Sequence, residues 1–137
     1  MQITRQADYA LRAMLFLAKA DKDKRTATSQ IAESEQIPPS FLAKIISQLS
    51  IAGLIYTSRG ARGGVSLAHS VDEISVLDVI EAIDGPISLN ECATSKDGCQ
   101  FGEDCAFQPI WYDAQAELVK KLQETKFSQL INTPVTA

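Results

Sequence analysis

Residues 38–68, PPSFLAKIISQLSIAGLIYTSRGARGGVSLA, constrain this chain more than any other stretch. From Ser40 onward Leu42, Ile45, Ile46 and Leu49 fall at i, i+3, i+4 and i+7, which predicts a helix with one buried face. Ser40, Ala43, Lys44 and Ser47 repeat the same spacing on another side, so the second face is small, polar and uncluttered. The following LIYTS and VSLAH are rich in β-formers, and RGARGG between them supplies the glycine that a hairpin loop needs for positive φ. Arg59 and Arg62 are thereby expected on an exposed tip.

Upstream, Ala7, Ala10, Leu11, Met14, Leu17 and Ala18 share one helical stripe, with Thr4 placed to cap it, which predicts a helix over residues 4–20. That opening segment interleaves charge with apolar residues and lacks a small-residue cleavage site, so it reads as a helix and not as a signal peptide. DKDKRTA is a charged connection, and Thr28 is positioned to cap a short helix, SQIAESE, that Ile37 and the Pro38-Pro39 pair end. Downstream, ISVLDVIEAIDG predicts a further helix with Ser75 and Asp78 at capping-box spacing and Gly85 at its C-terminal end.

From about Cys105 the pattern is helical again, with Trp111, Ala114, Leu118 and Leu122 at spacings of three, four and four. This stripe is longer than a helix leaving a small domain can hide against its own fold, so a partner helix from a second copy is expected there. NTPVTA at the end is expected to fray. The chain therefore divides into 1–86, a winged helix-turn-helix; 87–108, a cysteine loop; and 109–137, a dimerisation helix with its tail. The class is mainly α with a small two-stranded wing.

The formal net charge of −4 argues at first sight against a nucleic-acid partner. Its distribution says otherwise. Residues 1–70 carry nine Lys/Arg against five acids, a net of +4, and the rest carry four against twelve, a net of −8. Helix, turn, helix and a wing with an arginine-bearing tip is the arrangement that presents a helix to the major groove of duplex DNA. Short side chains let that helix approach base edges: Ser40 and Ser47 can hydrogen-bond bases or phosphates, and Lys44 can reach a phosphate or a guanine. Arg59 and Arg62 would neutralise phosphates. Taken singly, each of these is also what a solvated helix face or a hairpin loop looks like; the order of elements, the separation of faces and the charge asymmetry carry the reading together. No nucleophile-base pair or phosphate loop suggests an enzyme. A different class, an electron carrier whose helix-turn-helix docks proteins, stays open at this point. The longest apolar runs are too short to cross a bilayer, and a cytoplasmic location is expected, where clustered thiols more often serve metal or redox chemistry than disulfides.

All three cysteines lie in ECATSKDGCQFGEDCAFQ, residues 91–108. The spacing C-x6-C-x5-C matches neither the paired knuckles of a zinc ribbon nor a ferredoxin run. Soft thiolates in a glycine-containing loop suit an iron-sulfur cluster, with zinc and a metal-free thiol switch as the alternatives. Three thiols are one ligand short of a closed set. His69, the single histidine, ends a wing strand and reads as a packing or surface residue. Trp111 reads as an interface anchor.

ADYALRAMLFLA, IPPSFLAKIISQL, GLIYTSRGARGGVSLA and EISVLDVIEAIDG, followed by three cysteines and a long final helix, resemble in that order the bacterial winged-helix iron-sulfur regulators that include IscR, NsrR and RirA. The resemblance covers nearly the whole chain. It implies a homodimer on a pseudopalindromic DNA operator, final helices crossing at the dimer interface, and Cys92, Cys99 and Cys105 as cluster ligands. IscR-like members carry a histidine three positions after the last cysteine, where this chain has Gln108; NsrR-like members use an aspartate of the first helix, reaching the partner's cluster, and Asp8 stands at the matching position. The resemblance thus favours a 4Fe–4S over a 2Fe–2S cluster, although an acid in a helix's first turn is also common for its dipole alone. Where IscR-like recognition helices carry an acid, this chain has Ala43.

Overall fold

The computed structural model describes residues 2–20, 24–61, 63–90 and 105–132; Arg62, Cys92 and Cys99 lie outside them. Helix α1, Arg5–Lys19, starts at Thr4, whose Oγ accepts the Ala7 N–H at 3.1 Å. The same hydroxyl donates to Asp84 Oδ1 at 2.6 Å and so ties the start of α1 to a later helix. Ala7, Ala10, Ala13, Met14, Leu17 and Ala18 are buried. Ala13 joins the predicted stripe, while Leu11 is half-buried and packs against both of the fold's apolar clusters.

Helix α2, Thr28–Glu35, has Ala27 in the capping position without a side-chain bond, so Thr28 is its first helical residue and not its cap. The chain leaves α2 through Gln36 at φ +55° and buries Ile37. Helix α3, Pro39–Ile51, begins one residue earlier than expected, because the fixed φ of proline suits a first helical position. Leu42, Ile45, Ile46 and Leu49 face the core as their spacing requires.

Strand β1, Ile55–Ser58, pairs antiparallel with β2, Gly64–Leu67, in the register Ile55 with Leu67 and Ser58 with Gly64. The charged connection after α1 adds a further contact to β2: the Thr26 N–H donates to the Val65 carbonyl at 2.9 Å and the Thr26 carbonyl accepts from the Val65 N–H at 2.8 Å. Gly64 permits this approach. Its φ is +152°, and a Cβ there would lie 2.6 Å from the Thr26 carbonyl oxygen. Gly64→Ala is therefore expected to cost about 1–3 kcal/mol through strain and loss of the Thr26 bridge, read as a lower urea midpoint.

Helix α4, Val76–Asp84, carries the predicted capping box: Ser75 N–H donates to Asp78 Oδ2 at 2.9 Å and Asp78 N–H to Ser75 Oγ at 3.0 Å. It packs against α1 and α3. Helix α5, Gln108–Glu124, has 17 residues and starts three positions after Cys105. Of the expected tail NTPVTA, residues 133–137 lie outside the described residues. The chain turns at Thr125 into α6, Phe127–Leu130. Thr125 O accepts from Val76 N–H at 2.9 Å, Phe127 N–H donates to Ile74 O and Ser128 N–H to Val71 O, each at 3.1 Å. Phe127, 2% exposed, sits in the main core with Met14, Ile45 and Leu49. Residues 127–130 thus pack on elements that precede residue 86.

Candidate nucleic-acid interface and thiol segment

The candidate recognition surface lies on α3. Ser40, Ala43, Lys44 and Ser47 are all exposed, opposite the four buried residues of the same helix. Neither α2 nor α3 has a side-chain cap at its N-terminus, and Thr28, Ser29 and Ser40 in their first turns are exposed. Arg59 is exposed immediately after β1, at the start of the wing tip. Its partner in the sequence reading, Arg62, lies outside the described residues. Arg59→Ala is expected to weaken duplex binding and to lower the salt dependence of log K by about one, a value that anisotropy titrations across salt concentrations would give.

Aromatic residues that the spacing rules did not single out also stand here. Phe41, 45% exposed, lies between Ser40 and Ala43, and its ring centroid is 6.3 Å from that of Tyr9 on α1. Tyr56 is exposed on β1. An apolar side chain left in water beside a polar face was the available signal, and periodicity does not register it.

Of the thiol segment, Cys105 is described: it is half-buried, and its carbonyl accepts from Gln108 N–H at 3.3 Å as the turn enters α5. Cys92 and Cys99 lie outside the described residues. Leu89 N–H donates to Gln115 Oε1 at 3.0 Å, so the chain entering the segment is fastened to the helix leaving it. Asp8 lies exposed in the first turn of α1, with its Oδ2 3.1 Å from Arg12 Nε. Such an exposed pair contributes little to stability, which leaves this carboxylate open to other partners. Three soft thiols and an accessible carboxylate fit a cluster as a donor set; among the described residues no group of three or more metal-binding side chains is assembled. His69 is exposed at 3.7 Å from Glu73.

The stripe on α5 divides. Leu118 and Leu122 pack, half-buried, against the cluster of Leu77, Ile80 and Ile87. Trp111 and Ala114 are exposed, and Phe107, Ile110 and Tyr112 stand exposed around them, with Phe107 and Trp111 stacked at 6.5 Å. No helix among the described residues is long and apolar enough to cross a membrane.

A helix-turn-helix with a polar outward face on α3 and a two-stranded antiparallel wing defines a winged-helix fold of the DNA-binding class. A family model described as "Rrf2: Iron-dependent Transcriptional regulator" matches residues 3–133, and the chain belongs to this family of transcriptional regulators. Relatives include IscR of Erwinia tasmaniensis, 32% identical over 132 residues that cover 96% of this chain and 79% of the relative. NsrR of Shouchella clausii is 30% identical over 132 residues, covering 96% and 89%. Among solved structures, CymR of Bacillus subtilis, described as the global cysteine regulator, superposes with a TM-score of 0.82 at 29% identity, covering 96% of each chain. Staphylococcus aureus CymR in its oxidized form gives 0.79 at 27% identity, covering 99% of this chain and 100% of that one.

Proposed function

We propose that this regulator is a homodimer, acting as a repressor on a pseudopalindromic operator, whose DNA affinity is set by an iron-sulfur cluster. Cys92, Cys99 and Cys105 would hold the cluster, with Asp8 of the partner subunit as fourth ligand, and 4Fe–4S is favoured over 2Fe–2S. The observation that carries this reading is the donor set: three thiols within 14 residues, Gln108 where a histidine would complete them, and an exposed carboxylate at Asp8. Likeness to IscR and NsrR supports it. When bound, such a cluster with one oxygen ligand supplies a labile corner at which nitric oxide, oxygen or iron loss can act.

The chain's own contacts give the site a route to the reading head. Cys105 leads into α5; Leu118 and Leu122 couple α5 to α4; Asp84 couples α4 to Thr4 at the start of α1, which packs on α3. Phe107, Ile110, Trp111 and Tyr112 are the apolar surface a second copy would cover. A tenfold to hundredfold difference in operator affinity between cluster states needs only about 1.4–2.8 kcal/mol along this route. Operator binding by anaerobically prepared protein, before and after iron removal, is expected to differ by that factor; equal affinity in both states would overturn the reading. A second reading, a metal-free thiol switch, draws support from the likeness to CymR, for which an oxidized form is known. A colourless, iron-free sample whose DNA affinity changes on mild oxidation would decide for it.

A further inference from the structure

We propose that the outer face of α1 is a second phosphate-binding element of the DNA interface, formed by Arg5, Tyr9 and Arg12 and joined to the recognition helix through Phe41. The proposal rests on the DNA binding of the family; because Asp8 is also the proposed fourth cluster ligand, its test is made without the cluster.

Arg5, Tyr9 and Arg12 fall at i, i+4 and i+7 of α1 and form one stripe beside the buried face of Ala7, Ala10 and Ala13. Both arginines are exposed and Tyr9 is half-buried. The stripe's position is fixed at Tyr9, whose ring meets that of Phe41 at 6.3 Å with the planes tilted by 60°. Phe41 follows Ser40 and precedes Lys44 by one turn of α3, so the contact sets the α1 stripe at the rim of the surface that reads DNA. An aromatic pair left partly in water at that rim, flanked by two guanidinium groups, is complementary to a sugar-phosphate backbone. Arginine forks grip phosphate oxygens bidentately, and a tyrosine hydroxyl donates a hydrogen bond to them.

Asp8 adjusts this stripe. Its carboxylate is 3.1 Å from Arg12 Nε and competes with a phosphate for that guanidinium, so among the described residues Arg12 is the ion-paired cation of the stripe and Arg5 the one without an ion pair. Removing the Asp8 charge would therefore release a second phosphate contact. Sequence spacing alone does not reveal the stripe, because its relation to α3 depends on the Tyr9–Phe41 contact between elements more than 30 residues apart.

The test uses the full chain in its cluster-free form and a random-sequence duplex of about 40 bp, titrated by anisotropy between about 50 and 200 mM salt, since phosphate contacts are independent of sequence. Arg5→Ala is expected to lower the magnitude of the log K against log salt slope by about one. Tyr9→Phe, which keeps the ring, is expected to weaken binding about threefold to tenfold with the slope unchanged. Asp8→Asn should tighten binding and steepen the slope by about one, and adding Arg12→Ala to it should cancel that gain. Wild-type affinity and slope in both Arg5→Ala and Tyr9→Phe would overturn the proposal. So would a gain in Asp8→Asn that survives Arg12→Ala, because it would then reflect net charge and not a released guanidinium. Absence of duplex binding by the wild type would overturn it at its base, whatever the cluster does.

Discussion

Phe127→Ala is expected to be the most damaging single substitution among the described core residues. The ring is 2% exposed and is packed into the same cluster as Met14, Ile45 and Leu49, although it lies beyond the long α5 helix in sequence. Truncating a buried phenylalanine removes its transfer free energy and leaves a cavity, together about 3–5 kcal/mol. Domains of this size are stable by only about 5–15 kcal/mol, so much of the margin would go. Loss should also unfasten Phe127 and Ser128, at the start of α6, from Ile74 and Val71 and with them the C-terminal end of α5. Urea unfolding would show the loss as a midpoint shift. A shift no larger than that of an exposed position such as Ile51→Ala would mean that α6 is not part of the core.

Replacing Cys92, Cys99 or Cys105 singly with Ala is expected to abolish the visible absorption of anaerobically purified protein and to leave a folded dimer. Cys105 is half-buried and belongs to neither apolar cluster, so its truncation costs the core little. In the proposed site each thiolate would be one of three ligands, and a two-thiolate remnant would not hold the cluster. Asp8→Ala should behave differently. Thr4 still caps α1, so the fold is kept, while cluster stability or response changes. An unchanged spectrum in all three cysteine variants would refute the ligand assignment, and full retention of cluster and response in Asp8→Ala would move the fourth ligand elsewhere, to Glu91, Glu103 or a small exogenous molecule.

The parts of the fold legible in the sequence are those governed by local rules. The buried face of α3 follows from 3.6-residue periodicity, the Ser75–Asp78 box from capping chemistry, and the wing from β-formers around glycines. What was not legible depends on distant partners. Thr26 forms one bridge to Val65, and a single bridge leaves no period to detect. Phe127 is drawn into a core whose other members precede it by up to about 120 residues, so nothing local marks the end of α5. The α5 stripe was legible as apolar but not as divided: Leu118 and Leu122 pack on the cluster that includes Leu77 and Ile80 of α4, whereas Trp111 and Ala114 are exposed. At the candidate interface, Ser40, Lys44, Ser47 and Arg59 are exposed as their pattern predicts, because exposure follows from helix faces and hairpin tips. Tyr9 and Phe41 escaped it because their meaning lies in a contact between two helices.

Native mass spectrometry of the anaerobically purified full chain tests the central claim most directly, since one spectrum reports both oligomeric state and metal content. The account predicts a dimer carrying two clusters of four iron and four sulfide each. A dimer of bare polypeptide, or one holding zinc, would contradict it.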